Sequence, residues 1–471
     1  MTALNDRQIS ATREAWSAIE PETRAMFRTL WETPELPMME YEAEAALSSW
    51  LSDHGFTVER GVCRMPTAFR AVWSNGDGPT LGFLAEYDAL PGQGNRLEPN
   101  RAPDGKRGGH ACGHNLIGGA DSGAAIAAKA AMEELGLTGS IVVLGTPAEE
   151  ILWGKIAMLR DGAFDGIDAL LTSHGDYQNG APSRPCLSCV SAEFVFSGVS
   201  SHGGSRRSQN ALDAAELMVQ SVERLRAHQF SNAIIGHVLR FAGYMPSITP
   251  DEARLWITVR HEVFEHAEEV YNLILPIAAD AAGYTGTEFR EQLISASRGY
   301  LANDVMANRL HDSMQIIGPP AWDDDDLSFM RDLSEHCRPG QEFVLDRDVA
   351  VHTEGCDPYG QDDGEASFYI PLARANWAYP TGVLLHNWAA TANSGHESQF
   401  KGGVFAGESL ALTAIDLVSD PAAIDAAQKE LVGRVGTRKL SPPRVGGFDV
   451  MTQNPESFWD STWVSHDRLS S

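Results

Sequence analysis

The chain has 471 residues, 43% of them hydrophobic, with 64 acidic against 36 basic side chains and a formal net charge of −28. That length exceeds a single ordinary core and predicts two domains; that charge argues against nucleic acid or an anionic membrane as a partner. The first twenty residues are polar without a basic-then-apolar leader, no apolar run approaches membrane-spanning length, and six cysteines are too few for a disulfide framework. The expectation is a cytoplasmic protein acting on a small molecule, with Cys186 and Cys189 as free thiols.

Residues 38–54 read as an amphipathic helix, and 56–58 and 69–73 as short strands. Thr80 to Ala85 is apolar on both faces, as in a buried strand, and hands on Glu86-Tyr87-Asp88-Ala89-Leu90-Pro91 at the end where open α/β sheets bind ligands. A loop then leads into Gly109-His110-Ala111-Cys112-Gly113-His114-Asn115, followed by an Ala-rich helix from Leu116 to Leu135. Ser140 to Gly145 is the next buried strand and delivers Glu149-Glu150; a helix spans Gly154 to Arg160; Asp168 to Ser173 is a strand ending on His174. This alternation predicts an α/β catalytic domain, a mostly parallel sheet with helices on both faces.

The pattern changes after residue 187. A strand at 190–198, a helix at 210–229, strands at 234–244 and 252–262, a helix at 266–282 and a strand at 289–297 give β-α-β-β-α-β, a ferredoxin-like α+β unit inserted into the first domain. The expected division is 1–187 and 301–471 for the catalytic domain and 188–300 for the insertion. Helices follow at 303–317 and 325–338, the second opened by the acids Asp323 to Asp326, which suit a positive helix end. A polar loop covers 360–365. Leu384-Leu385 reads as an apolar strand ending on His386, and 400–419 as the closing helix. The last thirty-five residues are expected along the surface without a core of their own.

Several strand ends thus carry chemistry. Thiolate, imidazole and carboxylate suit zinc, manganese or cobalt, and the metal-ligand candidates are Cys112, His114, Glu150, His174 and His386. Adjacent carboxylates cannot face one way on an extended chain, so one of Glu149 and Glu150 can hold an ion while its neighbour reaches a water as general base.

With Gly82 to Gly92, Gly109 to Leu116, Gly145 to Glu150, Ser201-His202, Asn210 to Ala214 and His386-Asn387-Trp388 in place, the chain resembles the aminoacylase–hippurate hydrolase family of metallopeptidases (clan MH), and within it the p-aminobenzoyl-glutamate hydrolase branch. The resemblance implies one or two divalent ions on those five ligands, Glu149 as general base, Asp88 holding a ligand histidine, and a lid and dimerisation role for the insertion. It further implies a homodimer or higher homo-oligomer in which His202 reaches the partner's site. The reaction it implies is hydrolysis of the amide of an acyl or aromatic-acyl amino acid.

Three departures bear on substrate. Ile151-Leu152-Trp153-Gly154 stands where relatives have a glycine run, Met245-Pro246-Ser247-Ile248 where they carry a substrate-contacting Asn, and Gly175-Asp176 where a proline is common. Trp153, Arg260 and Ser247 are the expected substrate-binding residues. Trp153, Trp377, Tyr379 and Trp388 either favour a small aromatic substrate or fill core. The alternatives are a hydrolytic deaminase releasing ammonia from a small aromatic amine, and an inactive metal-stabilised binding protein.

Overall fold

The computed structural model describes residues 4–205, 208–230 and 232–459. Its larger sheet runs, edge to edge, Thr57–Arg60, Phe69–Ser74, Ser140–Gly145, Thr80–Ala85, Ala169–Asp176, Leu372–Ala378, Gly180–Pro182 and Ala350–His352. The centre is parallel, with Thr80–Ala85 between Ser140–Gly145 and Ala169–Asp176, and Leu372–Ala378 beyond. The first two strands are antiparallel. Leu81, Phe83, Ile141 and Val143 face one core, against the helices Asp6–Glu32, His114–Leu135 and Glu397–Ser419. Leu84, Val142 and Leu144 face a second core with Ala157 and Met158 of the helix Gly154–Arg160. Burial on both faces is why these strands read as unbroken apolar runs. Among the described residues Glu397–Ser419 alone is long and apolar enough to cross a membrane, and 83% of that apolar stretch is buried inside the protein.

The inserted unit forms a separate antiparallel sheet in the order Ile234–Phe241, Glu252–His261, Ser188–Ser197, Glu288–Ser297. The helices Ala211–Gln229 and Phe264–Thr285 cover one face, with Met218, Val222, Val270 and Ile274 in a core of their own. This is the ferredoxin-like unit the sequence predicts. Asp323 caps the helix Asp324–Cys337 by accepting from the amides of Asp325 and Asp326, so the acidic run is a helix start.

Three expectations change. Leu384 and Leu385 lie in a turn rather than a strand, because Pro380 and Gly382 end the extended backbone after Leu372–Ala378. A helix Pro421–Val435 follows Glu397–Ser419. As far as Trp459 the C-terminal segment is not a surface tail, and residues 460–471 lie outside the described residues: Met451, Phe458 and Trp459 are buried, and Arg444–Val445 pairs with Ser295 and Ala296 as a fifth strand of the inserted sheet. An aromatic segment with no periodicity can be buried only by surfaces the rest of the fold builds.

Candidate metal centre

Cys112 and His114 sit at the start of the helix His114–Leu135, with Gly113 between them at φ +81°, where a Cβ would meet Tyr379 Oη at 2.6 Å. Only glycine fits there. Cys112 Sγ lies 3.6 Å from His174 Nε2. His114 Nδ1 is 2.9 Å from Asp88 Oδ1, which leaves Nε2 for the cavity. Asp88 Oδ2 accepts the Glu150 amide at 2.9 Å, so one buried acid orients the imidazole and fixes the Glu149-Glu150 turn. Glu150 Oε1 is 3.9 Å from His114 Nε2, and Glu150 Oε2 is 3.5 Å from His386 Nε2. All five sequence-expected ligands therefore converge. His386 stays half-exposed on one side of the cavity. His110 does not join them; its Nε2 bonds the Leu30 carbonyl at 3.0 Å.

The donors form three overlapping groups: Cys112, His114 and His174; Cys112, Glu150 and His386; Glu86, His114 and Glu149. His114 Nε2, Glu86 Oε2, Glu149 Oε1 and Glu150 Oε1 are buried without a hydrogen-bond partner. Buried polar atoms left unpaired are costly, and convergent anionic and imidazole donors are what a divalent cation requires, so the residues present fit the metal. Burial, with the Glu150 charge behind it, pushes the Cys112 thiol up to about 12. Burial lifts Glu149 well above the carboxylate range, and the Glu86 charge adds to this. Burial opposes charge on His114, but its hydrogen bond to Asp88 carries it well above the usual value. Burial lowers His174 to about 3, so it is neutral and ready to donate a lone pair.

Backbone strain clusters here. Ala148, Leu152 and His386 have φ of 58°, 53° and 57°, conformations that cost a side-chain-bearing residue roughly 1–2 kcal/mol each.

The substrate-side expectations separate. Arg260 lies opposite Cys189 in the inserted sheet, its Nε buried without a partner, and its charge acts on Glu150 and His386. Ser247 is exposed in a turn where its carbonyl accepts the Gly203 amide. It neighbours the His202 turn and belongs to none of the donor groups. His202 is likewise exposed, its Nδ1 accepting the Gly204 amide at 3.1 Å. Trp153 is a correction. Its ring is wholly buried in the second core and its Nε1 donates to the Gly446 carbonyl at 3.0 Å, because the backbone reverses at Leu152 and turns the indole away from the cavity. Trp377 and Tyr379 are also core residues, and Trp388 is partly buried against the same core. An aromatic ring beside the ligands is Tyr359, nearly parallel to His174 with centroids 6.3 Å apart. Nothing in its Gly/Asp-rich loop marked it in the sequence. Glu86 and the buried Lys155 were also missed. Glu86 could have been found, since it shares a strand-end face with Asp88 two residues on.

The sequence profile of Peptidase family M20/M25/M40 matches residues 82–287. The chain is 28% identical over 458 residues to a p-aminobenzoyl-glutamate hydrolase chain of Escherichia coli, covering 90% of this chain and 93% of that one. It is 26% identical to the Xaa-Arg dipeptidase of Mus musculus, covering 88% and 90%. Its fold matches a dinuclear metal-binding M20 peptidase of Bacillus subtilis with a TM-score of 0.52 at 18% identity, over 86% of this chain and 99% of that one. It also matches an aminobenzoyl-glutamate utilization protein of Klebsiella pneumoniae with a TM-score of 0.58 at 16% identity, over 86% and 97%. With this fold, this donor set and these likenesses, residues 82–287 carry the Peptidase family M20/M25/M40 profile, and the protein is a metal-dependent hydrolase of amide or peptide bonds.

Proposed function

We propose that the protein is a cytoplasmic amidohydrolase that cleaves the amide between an acyl or aromatic-acyl group and an amino acid. The observation that carries this is the meeting of Cys112, His114, Glu150, His174 and His386 around one cavity, with the Glu149 carboxylate beside them. The overlap of three donor groups favours two ions over one, each manganese, zinc or cobalt. Such ions, when bound, polarise the scissile carbonyl and acidify the attacking water. Glu149 takes the water proton and passes it to the leaving nitrogen as the C–O bond forms and the C–N bond breaks. Asp88 holds His114 and the Glu150 backbone in place throughout. Arg260 supplies a positive charge beside Glu150 and His386 that suits the carboxylate of an amino-acid product. The six free cysteines agree with a reducing compartment.

We further infer a homodimer in which His202 completes the partner's site. Its exposure, and the exposed Ile234, Val238 and Leu239 on the edge strand of the inserted sheet, support this reading.

The test is a panel of N-acyl and N-aroyl amino acids and aromatic amines, with protein stripped by chelator and reloaded with manganese, zinc or cobalt. Amino-acid release restored by metal is expected, and Glu149→Gln should retain metal while losing about 10²–10⁴-fold in kcat. Full turnover in metal-free protein, verified by elemental analysis, defeats the reading. Ammonia released only from the amines establishes a deaminase instead.

A further inference from the structure

Besides Glu149, the metal cavity holds a carboxylate that the five expected ligands leave out. Glu86 follows the strand Thr80–Ala85 and is 2% exposed. Its Oε1 is 2.8 Å from Lys155 Nζ. Its Oε2 is buried, has no hydrogen-bond partner, and lies 3.5 Å from His114 Nε2. Asp88 already occupies the other nitrogen of that imidazole, so Glu86 Oε2 and His114 Nε2 face the same space. Glu149 Oε2 stands 3.6 Å from the same nitrogen. Two donors each about 2.1 Å from one tetrahedral ion stand about 3.4 Å apart, which is the spacing found here.

Lys155 explains how Glu86 is aimed. It is wholly buried, on the first turn of the helix Gly154–Arg160. Its ammonium bridges Glu86 Oε1 and Asp362 Oδ1, the latter at 2.5 Å, and its own amide donates to Asp362 Oδ2 at 2.8 Å. A buried ammonium is tolerated only when paired. Here the pairing occupies one oxygen of Glu86 and turns the other, still anionic, toward His114. Without a cation, that oxygen is a buried acceptor with nothing to accept from, which is costly for a charged group.

We propose that Glu86 is a further donor to the metal centre through Oε2, and that Lys155 is the positioning residue that aims it. This rests on the metal-hydrolase reading of the site and adds an anionic ligand in the donor group that shares His114 but contains neither Cys112 nor His386. It also assigns a task to the only lysine on a helix that otherwise faces core: it offsets part of the charge that Glu86, Glu149, Glu150 and Asp362 bring together.

The experiment is zinc binding to the chelator-stripped full chain, by competition with a chromophoric chelator, with bound metal counted by elemental analysis and folding followed by circular dichroism. Glu86→Gln is expected to weaken zinc binding by about 10–100-fold, the range for outer partners of a metal site and a minimum for a direct donor. Glu86→Asp keeps the charge but withdraws the oxygen by one methylene; it should fold as the native chain does and bind zinc more weakly. The double variant Glu86→Gln/Lys155→Met removes the buried pair together. If Glu86 serves only to neutralise Lys155, this variant binds zinc as the native chain does, and the proposal is overturned. Native-strength binding by folded Glu86→Asp overturns it equally. If the native chain itself binds no zinc, manganese or cobalt, the reading of the whole site fails and this inference falls with it.

Discussion

Two buried carboxylates hold the turn that carries Glu149 and Glu150. Glu40 Oε1 accepts the amides of Met38 at 2.7 Å and Ala148 at 2.9 Å, and Asp88 Oδ2 accepts the amide of Glu150. Between these anchors Ala148 takes up φ 58°, and the two adjacent glutamates separate: Glu149 Oε2 comes within 3.6 Å of His114, while Glu150 reaches His386. The same reversal sends the next residues into the core. Trp153 has no exposed surface, so Trp153→Ala is expected to destabilise the chain by about 3–5 kcal/mol in chemical denaturation, as large-to-small aromatic substitutions do. The relative kcat/KM across acyl groups should stay as it was. A shifted specificity profile at unchanged stability would return the indole to the substrate pocket.

At the scale of elements, the segment after residue 440 behaves as a strap between the two sheets. Arg444–Val445 extends the inserted sheet. Arg240 of that sheet donates to the Phe458 carbonyl and lies over the Phe458 ring, 3.9 Å from its centroid. On the other side, Trp459 Nε1 donates to the Pro37 carbonyl at 2.9 Å, Gly446 accepts from Trp153, and Arg107 pairs with Glu456 at 2.9 Å. The strap therefore ties the inserted domain to the segment before Glu40 and to the turn after Glu150. Burying Phe458 and Trp459 contributes about 3–6 kcal/mol. Truncation after Leu440 should lower the melting temperature by about 3–6 °C in a chain of this size, followed by scanning calorimetry. An unchanged transition would show that the segment is not docked in solution.

For the whole molecule, the question is whether one chain makes a complete site. The metal-side residues come from one sheet and its loops. His202 sits apart from them in the inserted domain, hydrogen-bonded within its own turn and bridged to Ile248. Glu149→Gln and His202→Ala homodimers should each be nearly inactive, since an imidazole aimed at a developing oxyanion contributes roughly 2.7–4 kcal/mol to the barrier. Unfolded together and refolded as mixed dimers, they should regain activity, because one site then joins an intact Glu149 to the partner's intact imidazole. No recovery in verified mixed dimers means that His202 acts within its own chain or not at all.

Much of this architecture is written locally. The strands that end near Asp88, Glu149 and His174 are apolar on both faces, and alternation in Glu252–His261 marks a sheet with one covered face. Both signals follow from period and composition, which need no knowledge of the rest of the fold. Cys112, His114, Glu150, His174 and His386 were legible for the same reason: each follows a strong apolar or glycine-rich signal with a residue type that binds metal. What tertiary structure alone decided depends on direction and distance. The sense in which the chain reverses at Leu152 determines that Trp153 packs inward. The meeting of residues 155, 86 and 362 makes a buried ion triad that no local pattern announces. The aperiodic C-terminal aromatics find a cleft that exists only once the two sheets stand beside each other. Sequence periodicity encodes which face of an element is buried; it carries no record of which distant residue meets that face.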